Sequence, residues 1–92
     1  MSELRRALTI VNKRGLHARA SAKFVGAVAA LPDGTEVRVA KDGNEAAGGS
    51  ILGLMMLGAA KGDQVELIVT GNDAENVFAQ LCAMIEDGFG EE

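Results

Sequence analysis

The sequence predicts an α+β fold in which four strands form one mostly antiparallel sheet and helices cover one of its faces. Three observations carry this expectation. Short Val- and Leu-bearing segments alternate with period two, longer segments repeat their apolar residues every three or four positions, and glycines punctuate the boundaries between them. Leu4 to Val11 reads as a first strand, with Leu8 and Ile10 two apart, and Asn12 to Gly15 ends it in a loop. From Ala18 to about Ala30, the residues Ala20, Phe24, Val25, Val28 and Leu31 lay one apolar stripe along a helix, which Pro32-Asp33-Gly34 stops.

Thr35 to Ala40 alternates again, with Val37 and Val39 on one face and Glu36 and Arg38 on the other. Asp42-Gly43 signals a tight turn into a short strand near Glu45, which makes a hairpin. Ser50 to Leu57 is too short and too apolar for an ordinary surface helix, yet Ser50 is placed to cap its start and Gly58 to end it. Val65, Leu67 and Val69 mark the fourth strand. Asn72-Asp73-Ala74-Glu75 has the spacing of a capping box, ahead of a final helix striped by Ala74, Val77, Phe78, Leu81 and Ile85. Gly88 and Gly90 are expected to lead into a frayed acidic end.

The chain has 92 residues and reads as one domain, 1–92. A domain of this size buries roughly two thirds of its extended-chain surface and has no room for a deep cleft, which excludes large multistep chemistry. The apolar share of 48% supports a packed core, but three phenylalanines and no tyrosine or tryptophan leave it mainly aliphatic. The base-stacking platforms of single-strand nucleic-acid binders are missing, and a formal charge of −4 argues against nucleic acid in general. The charge is uneven, however. Residues 1 to 23 carry Arg5, Arg6, Lys13, Arg14, Arg19 and Lys23 against Glu3 alone, an asymmetry expected to surround the histidine and to attract phosphate and acidic partner surfaces. The simpler reading is a solvated face that happens to be basic.

Cys82 stands alone, so no internal disulfide is possible, and a reducing compartment fits. Met1-Ser2-Glu3-Leu4-Arg5 lacks the apolar core of a signal peptide and no apolar run is long enough to cross a bilayer, so a cytoplasmic location away from membranes is expected. One histidine and one cysteine far apart give no soft-metal site, and the carboxylates show no calcium-loop spacing. No cofactor is expected.

The residues Gly15-Leu16-His17-Ala18-Arg19 hold the only histidine, just past a glycine hinge and where a helix should begin. The first turn of a helix leaves backbone N–H groups without partners and carries partial positive charge, so it forms a cradle for an anion on the ring. Arg19 adds a second cation. An exposed imidazole titrates near ~6.5, so at neutral pH it offers a lone pair for attack. Helix-terminal effects of about 0.3 to 1 kcal/mol suit a group that must be released as well as held. These features point to a carrier that takes phosphate onto His17 and gives it away; the simpler reading is an ordinary capping or solvated histidine.

Those five residues, followed by Ser50-Ile51-Leu52-Gly53-Leu54-Met55-Met56-Leu57-Gly58-Ala59-Ala60-Lys61-Gly62, resemble the HPr family. Its members are the histidine phosphocarriers of the bacterial phosphoenolpyruvate-dependent phosphotransferase system. The similarity covers nearly the whole chain, with both motifs in matching order. It implies an open-faced β-sandwich of four strands and three helices. It also implies that His17 accepts a phosphoryl group on Nδ1 from Enzyme I and donates it to IIA proteins or domains, for sugar uptake and its regulation. The chain is then a monomeric covalent intermediate and not an enzyme. By the same resemblance Arg19 stabilises the phosphate, the backbone amides from Ala18 onward donate to it, and Ala22, Ile51, Leu52 and Met55 dock the partners. The family usually has proline after the arginine, where this chain has Ala20; the change loosens the turn slightly without removing a donor. A second branch of the family serves nitrogen-related regulation through a separate Enzyme I, and both branches share the histidine motif.

The apolar segment supports docking independently. Ile51, Leu52, Leu54, Met55, Met56 and Leu57 cannot all point inward from a two-turn helix, and methionine suits a surface that accepts several partners. The simpler reading is core beneath a loop. Ser50 has a sufficient role as a helix cap, but in many HPr proteins the matching serine is phosphorylated by HPr kinase/phosphatase, and the added charge obstructs docking. Gly49 stands where many regulated members have lysine. Two other classes compete. A phosphopantetheine carrier on Ser50 is opposed by the strands and by Gly49-Ser50-Ile51 in place of Asp-Ser-Leu, and a ferredoxin-like binding module would leave His17 incidental.

Overall fold

Period-two alternation and three-to-four-residue stripes resolve into separate elements in the computed structural model, which describes residues 3–91. In chain order these are β1 (Glu3–Thr9), α1 (Ala18–Ala29), β2 (Thr35–Lys41), β3 (Asn44–Ala47), α2 (Ile51–Met56), β4 (Gln64–Gly71) and α3 (Ala74–Glu86), followed by a 3-10 turn at Gly88–Gly90. The sheet order is β1-β4-β2-β3, and every neighbouring pair is antiparallel. The expected "mostly antiparallel" sheet is therefore wholly antiparallel, because β4 inserts between β1 and β2 and runs opposite to both.

Alternation sends Leu8, Val37, Val39, Val65, Leu67 and Val69 toward the helices, where they pack with Phe24, Leu54, Val77, Leu81 and Ile85. Phe24 is the largest of the fully buried side chains. Ser21 is also fully buried on α1, and its hydroxyl donates to the Leu16 carbonyl oxygen, which removes the cost of hiding it. Cys82 is a free buried thiol of α3 whose pKa burial pushes up, so it is chemically quiet.

The opposite sheet face is open but not bare. Ile68 lies on it and has no exposed surface. Its register partners are Arg5 and Arg38, and the carboxylate of Glu3 ties the two arginines together at 3.1 Å from each. Glu66 completes the cover from the Arg5 side and Glu45 from the Arg38 side. Arg6, on β1's helix-facing side, pairs with Glu86 of α3. Arg5 and Arg6 are thus committed to carboxylates elsewhere and do not surround the histidine.

Asp42 and Gly43 both have positive φ, which gives the two-residue β2–β3 turn the primed geometry that matches strand twist. Two expectations fail. The capping box at Asn72 to Glu75 does not form: Asp73 is the N-cap of α3, in the left-handed region and with no side-chain cap bond. Its carboxylate instead accepts from the Asn76 side chain, and Asn72 is drawn into the preceding turn, where its N–H donates to Gly34 and its carbonyl accepts from Thr35. Of the acidic end expected to fray, Glu91 is held by side-chain contacts, and Glu92 lies outside the described residues. Phe89 is 3% exposed, and Lys23 Nζ donates to its carbonyl at 2.9 Å. No helix among the described residues is long and apolar enough to cross a membrane.

Truncating the core at its largest member, Phe24→Ala, is expected to cost about 3–5 kcal/mol. Urea unfolding checks this as a lower midpoint with an unchanged slope.

Candidate functional site

The site is built where the loop after β1 meets the loop after α2. Gly15 has φ +63°, and a Cβ on it would lie 2.2 Å from the Ala59 carbonyl oxygen and 2.9 Å from Ala60 Cα. Only glycine fits there. The next N–H, from Leu16, donates to the same Ala59 oxygen at 3.0 Å, and the Leu16 side chain is buried. The chain then turns into α1 with His17 as its N-cap, in extended backbone.

His17 caps the helix twice. Its carbonyl accepts from Ser21 N–H at 2.9 Å, and its ring Nδ1 accepts from Arg19 N–H at 3.2 Å. The capping reading and the phosphate-cradle reading therefore describe one geometry: the amide that would bind an anion now binds the ring nitrogen that would carry it. The ring is half-buried, with 21% of its side chain exposed, and not fully exposed as the sequence suggests.

The second ring nitrogen faces a residue that sequence reasoning missed. Nε2 lies 2.9 Å and 3.0 Å from the two carboxylate oxygens of Glu91. The hydrogen bond from His17 holds the Glu91 carboxyl below its ordinary value of 4.5; partial burial opposes it, and a second bond from Asn12 and the charge of Lys23 act with it. An ionised carboxylate can only accept, so Nε2 carries the hydrogen and Nδ1 the lone pair. Asn12 is buried, and its Nδ2 donates both to Gly15 O at 2.8 Å and to Glu91 at 3.1 Å. An acid next to glycines at the end of a chain gives no local signal of such a contact.

Lys13, Arg14, Arg19 and Lys23 line an open depression of about 430 Å³ together with Gly90 and Glu91. These four of the basic residues share the depression with Glu91, the residue that contacts the ring. On the neighbouring surface, α2 packs against α1 and buries Leu54, while Ile51, Leu52, Met55 and Met56 stay exposed. Ser50 caps α2, its Oγ accepting from Gly53 N–H at 2.9 Å. Among the described residues no three His, Cys, Asp or Glu side chains group so as to hold a metal ion.

The family model for the PTS HPr component phosphorylation site matches residues 4–87. The chain belongs to the HPr family. It is 43% identical over 88 residues to phosphocarrier protein HPr of Neisseria meningitidis serogroup A, covering 96% of this chain and 97% of that one. It is 36% identical over 91 residues to phosphocarrier protein NPr of Shewanella violacea, covering 99% and 98%. Among solved structures, HPr-C-His from Thermoanaerobacter tengcongensis superposes with a TM-score of 0.86 at 38% identity, covering 100% of this chain and 99% of that one. The chain is thus a phosphocarrier of the phosphotransferase system with the open-faced HPr sandwich.

Within this HPr fold, His17, Ala18 and Arg19 occupy the head of α1 together. Arg19 meets the ring through its backbone amide and is also one of the residues lining the cationic depression. Ala22 lies exposed on α1. Of the apolar docking residues expected, Ile51, Leu52 and Met55 are all exposed, and Met56, at 77%, is the most exposed of the group although it was not among them.

Because the folded carboxyl of Glu91 titrates below 4.5, its contribution to stability is fully present above 4.5 and is lost as pH falls through the lower folded value. Carbon-detected NMR titration of Glu91 is expected to give a midpoint under 4.5 that rises toward 4.5 in His17→Ala. A native midpoint at or above 4.5 contradicts the contact.

Proposed function

We propose that this phosphocarrier accepts a phosphoryl group on Nδ1 of His17 from Enzyme I and donates it to IIA proteins or domains. The observation that carries the reading is the Arg19 N–H aimed at Nδ1 at the start of α1. The lone pair on Nδ1 attacks phosphorus, and the amide that held the nitrogen is released to donate to a phosphoryl oxygen, with the Ala18 amide beside it. The guanidinium of Arg19, with Lys13, Arg14 and Lys23, supplies a diffuse positive field for the new dianion. Nothing encloses the group, so a partner can remove it.

Partner docking falls to Ala22, Ile51, Leu52 and Met55, joined by Met56, an exposed apolar patch on α2 and on α1, the helix that also bears Arg19 and Lys23. Enzyme I and IIA surfaces that present an apolar centre with acidic flanks match it. The sugar-uptake branch is the first reading. Nitrogen-branch regulation is the second, favoured by the NPr relative named above. Ser50 adds regulation: phosphorylation by HPr kinase/phosphatase at the cap of α2 would set a dianion within the apolar patch and repel an acidic partner. The Ser50 cap bond, worth about 1 kcal/mol, is replaced by phosphate oxygens at the same helix start.

Incubation with labelled phosphoenolpyruvate and Enzyme I of each branch is expected to add one acid-labile phosphoryl group, faster with the cognate enzyme. His17→Ala should take none, and Leu52→Glu should slow transfer roughly tenfold or more, as loss of an interface hot spot does. Label on His17→Ala sinks the reading. For Ser50, intact mass after treatment with the kinase and ATP should show one added phosphate, absent in Ser50→Ala; an unmodified native chain removes the regulatory role.

A further inference from the structure

We propose that Glu91 is a positioning residue for phosphoryl transfer: its carboxylate fixes the ring form of His17 that exposes the Nδ1 lone pair, and it keeps Nε2 protonated while the phosphoryl group is aboard. This rests on the reading that His17 carries the group.

The two sides of the ring specify the same state independently. Arg19 N–H donates to Nδ1, so Nδ1 has no hydrogen. Glu91 contacts Nε2 with both oxygens, so Nε2 must donate. The carboxylate is held in place by more than the ring. Asn12, itself buried, bridges it to the Gly15 carbonyl. The segment before it is anchored by the buried Phe89 side chain and by Lys23 Nζ on the Phe89 carbonyl. Gly88 and Phe89 both adopt positive φ, which folds the chain back toward Asn12. A side chain meeting the histidine by chance would have none of these supports.

The chemistry gives the contact a use. As the Nδ1–P bond forms, the bond from phosphorus to the donor atom of Enzyme I breaks and its electron pair stays on that atom. The Nε2 proton stays where it is, so the ring becomes cationic, and the carboxylate on its far edge offsets that charge. The same protonated ring is the better leaving group when the phosphoryl group moves on, because its Nδ1 departs as a neutral nitrogen. Glu91 therefore acts against the cations nearby: Lys13, Arg14, Arg19 and Lys23 favour the phosphoryl oxygens and disfavour a charged ring.

The test compares the full native chain with Glu91→Ala and Glu91→Gln, each labelled with ¹⁵N and checked for an unchanged amide spectrum. Native ring spectra are expected to show a slowly exchanging Nε2–H, lost in Glu91→Ala and kept in Glu91→Gln, whose amide oxygen still accepts. After phosphorylation with phosphoenolpyruvate and Enzyme I, the pH profile for hydrolysis of the phosphohistidine should move down by about 1 pH unit in both variants, since both lack the charge. A Glu91→Ala protein that matches the native one in either measurement overturns the proposal. A native chain that takes no phosphate on His17 overturns the phosphocarrier assignment of that residue instead, and the ring spectra of the unphosphorylated proteins still decide the role of Glu91.

Discussion

The close approach of Gly15 to the Ala59 carbonyl is the constraint on which the rest of the site depends. A backbone that passes so near that a Cβ would lie 2.2 Å from an oxygen cannot drift, and the Leu16 N–H bond to the same oxygen locks it. That contact joins the loop before α1 to the loop after α2. It sets the histidine at a helix start and holds it to the chain that leaves the apolar helix, so the histidine and the exposed apolar helix share one edge of the molecule.

On that edge the imidazole sits between two opposed fields. The Arg19 N–H and the positive end of the first helical turn favour negative charge beside Nδ1. The Glu91 carboxylate favours positive charge at Nε2. In the proposed transfer through His17 both are useful, since a purely cationic surround would hold phosphate and discourage a cationic ring, while a purely anionic one would repel the cargo. The half-buried ring and open depression keep each effect moderate, which suits a group passed between proteins.

The surface around α2 follows from helix length. Six residues make fewer than two turns, and only Leu54 is buried, so an apolar sequence necessarily exposes Ile51, Leu52, Met55 and Met56. The opposite sheet face solves a similar problem differently: Ile68 is apolar on a solvent-facing side, and Glu3, Arg5 and Arg38 close over it. One apolar surface stays exposed and the other is covered by charge.

The periodicities of the chain by themselves determined the order and nature of the elements, the inward faces of β2 and β4, the Asp42-Gly43 turn, the Ser50 cap and the place of His17 at a helix start. Each depends on neighbours within about four residues, which is the range over which helix and strand geometry repeats. Tertiary structure alone decided the fully antiparallel pairing, the diversion of Arg5 and Arg6 to distant carboxylates, the replacement of the Asn72 capping box by Asp73, and the burial of Ile68. Above all it decided that Glu91, 74 residues from His17, would complete the ring's surroundings. No local pattern encodes a contact of that span, because it exists only after the buried Phe89 and the Asn12 amide have folded the far end of the chain back onto the start of α1.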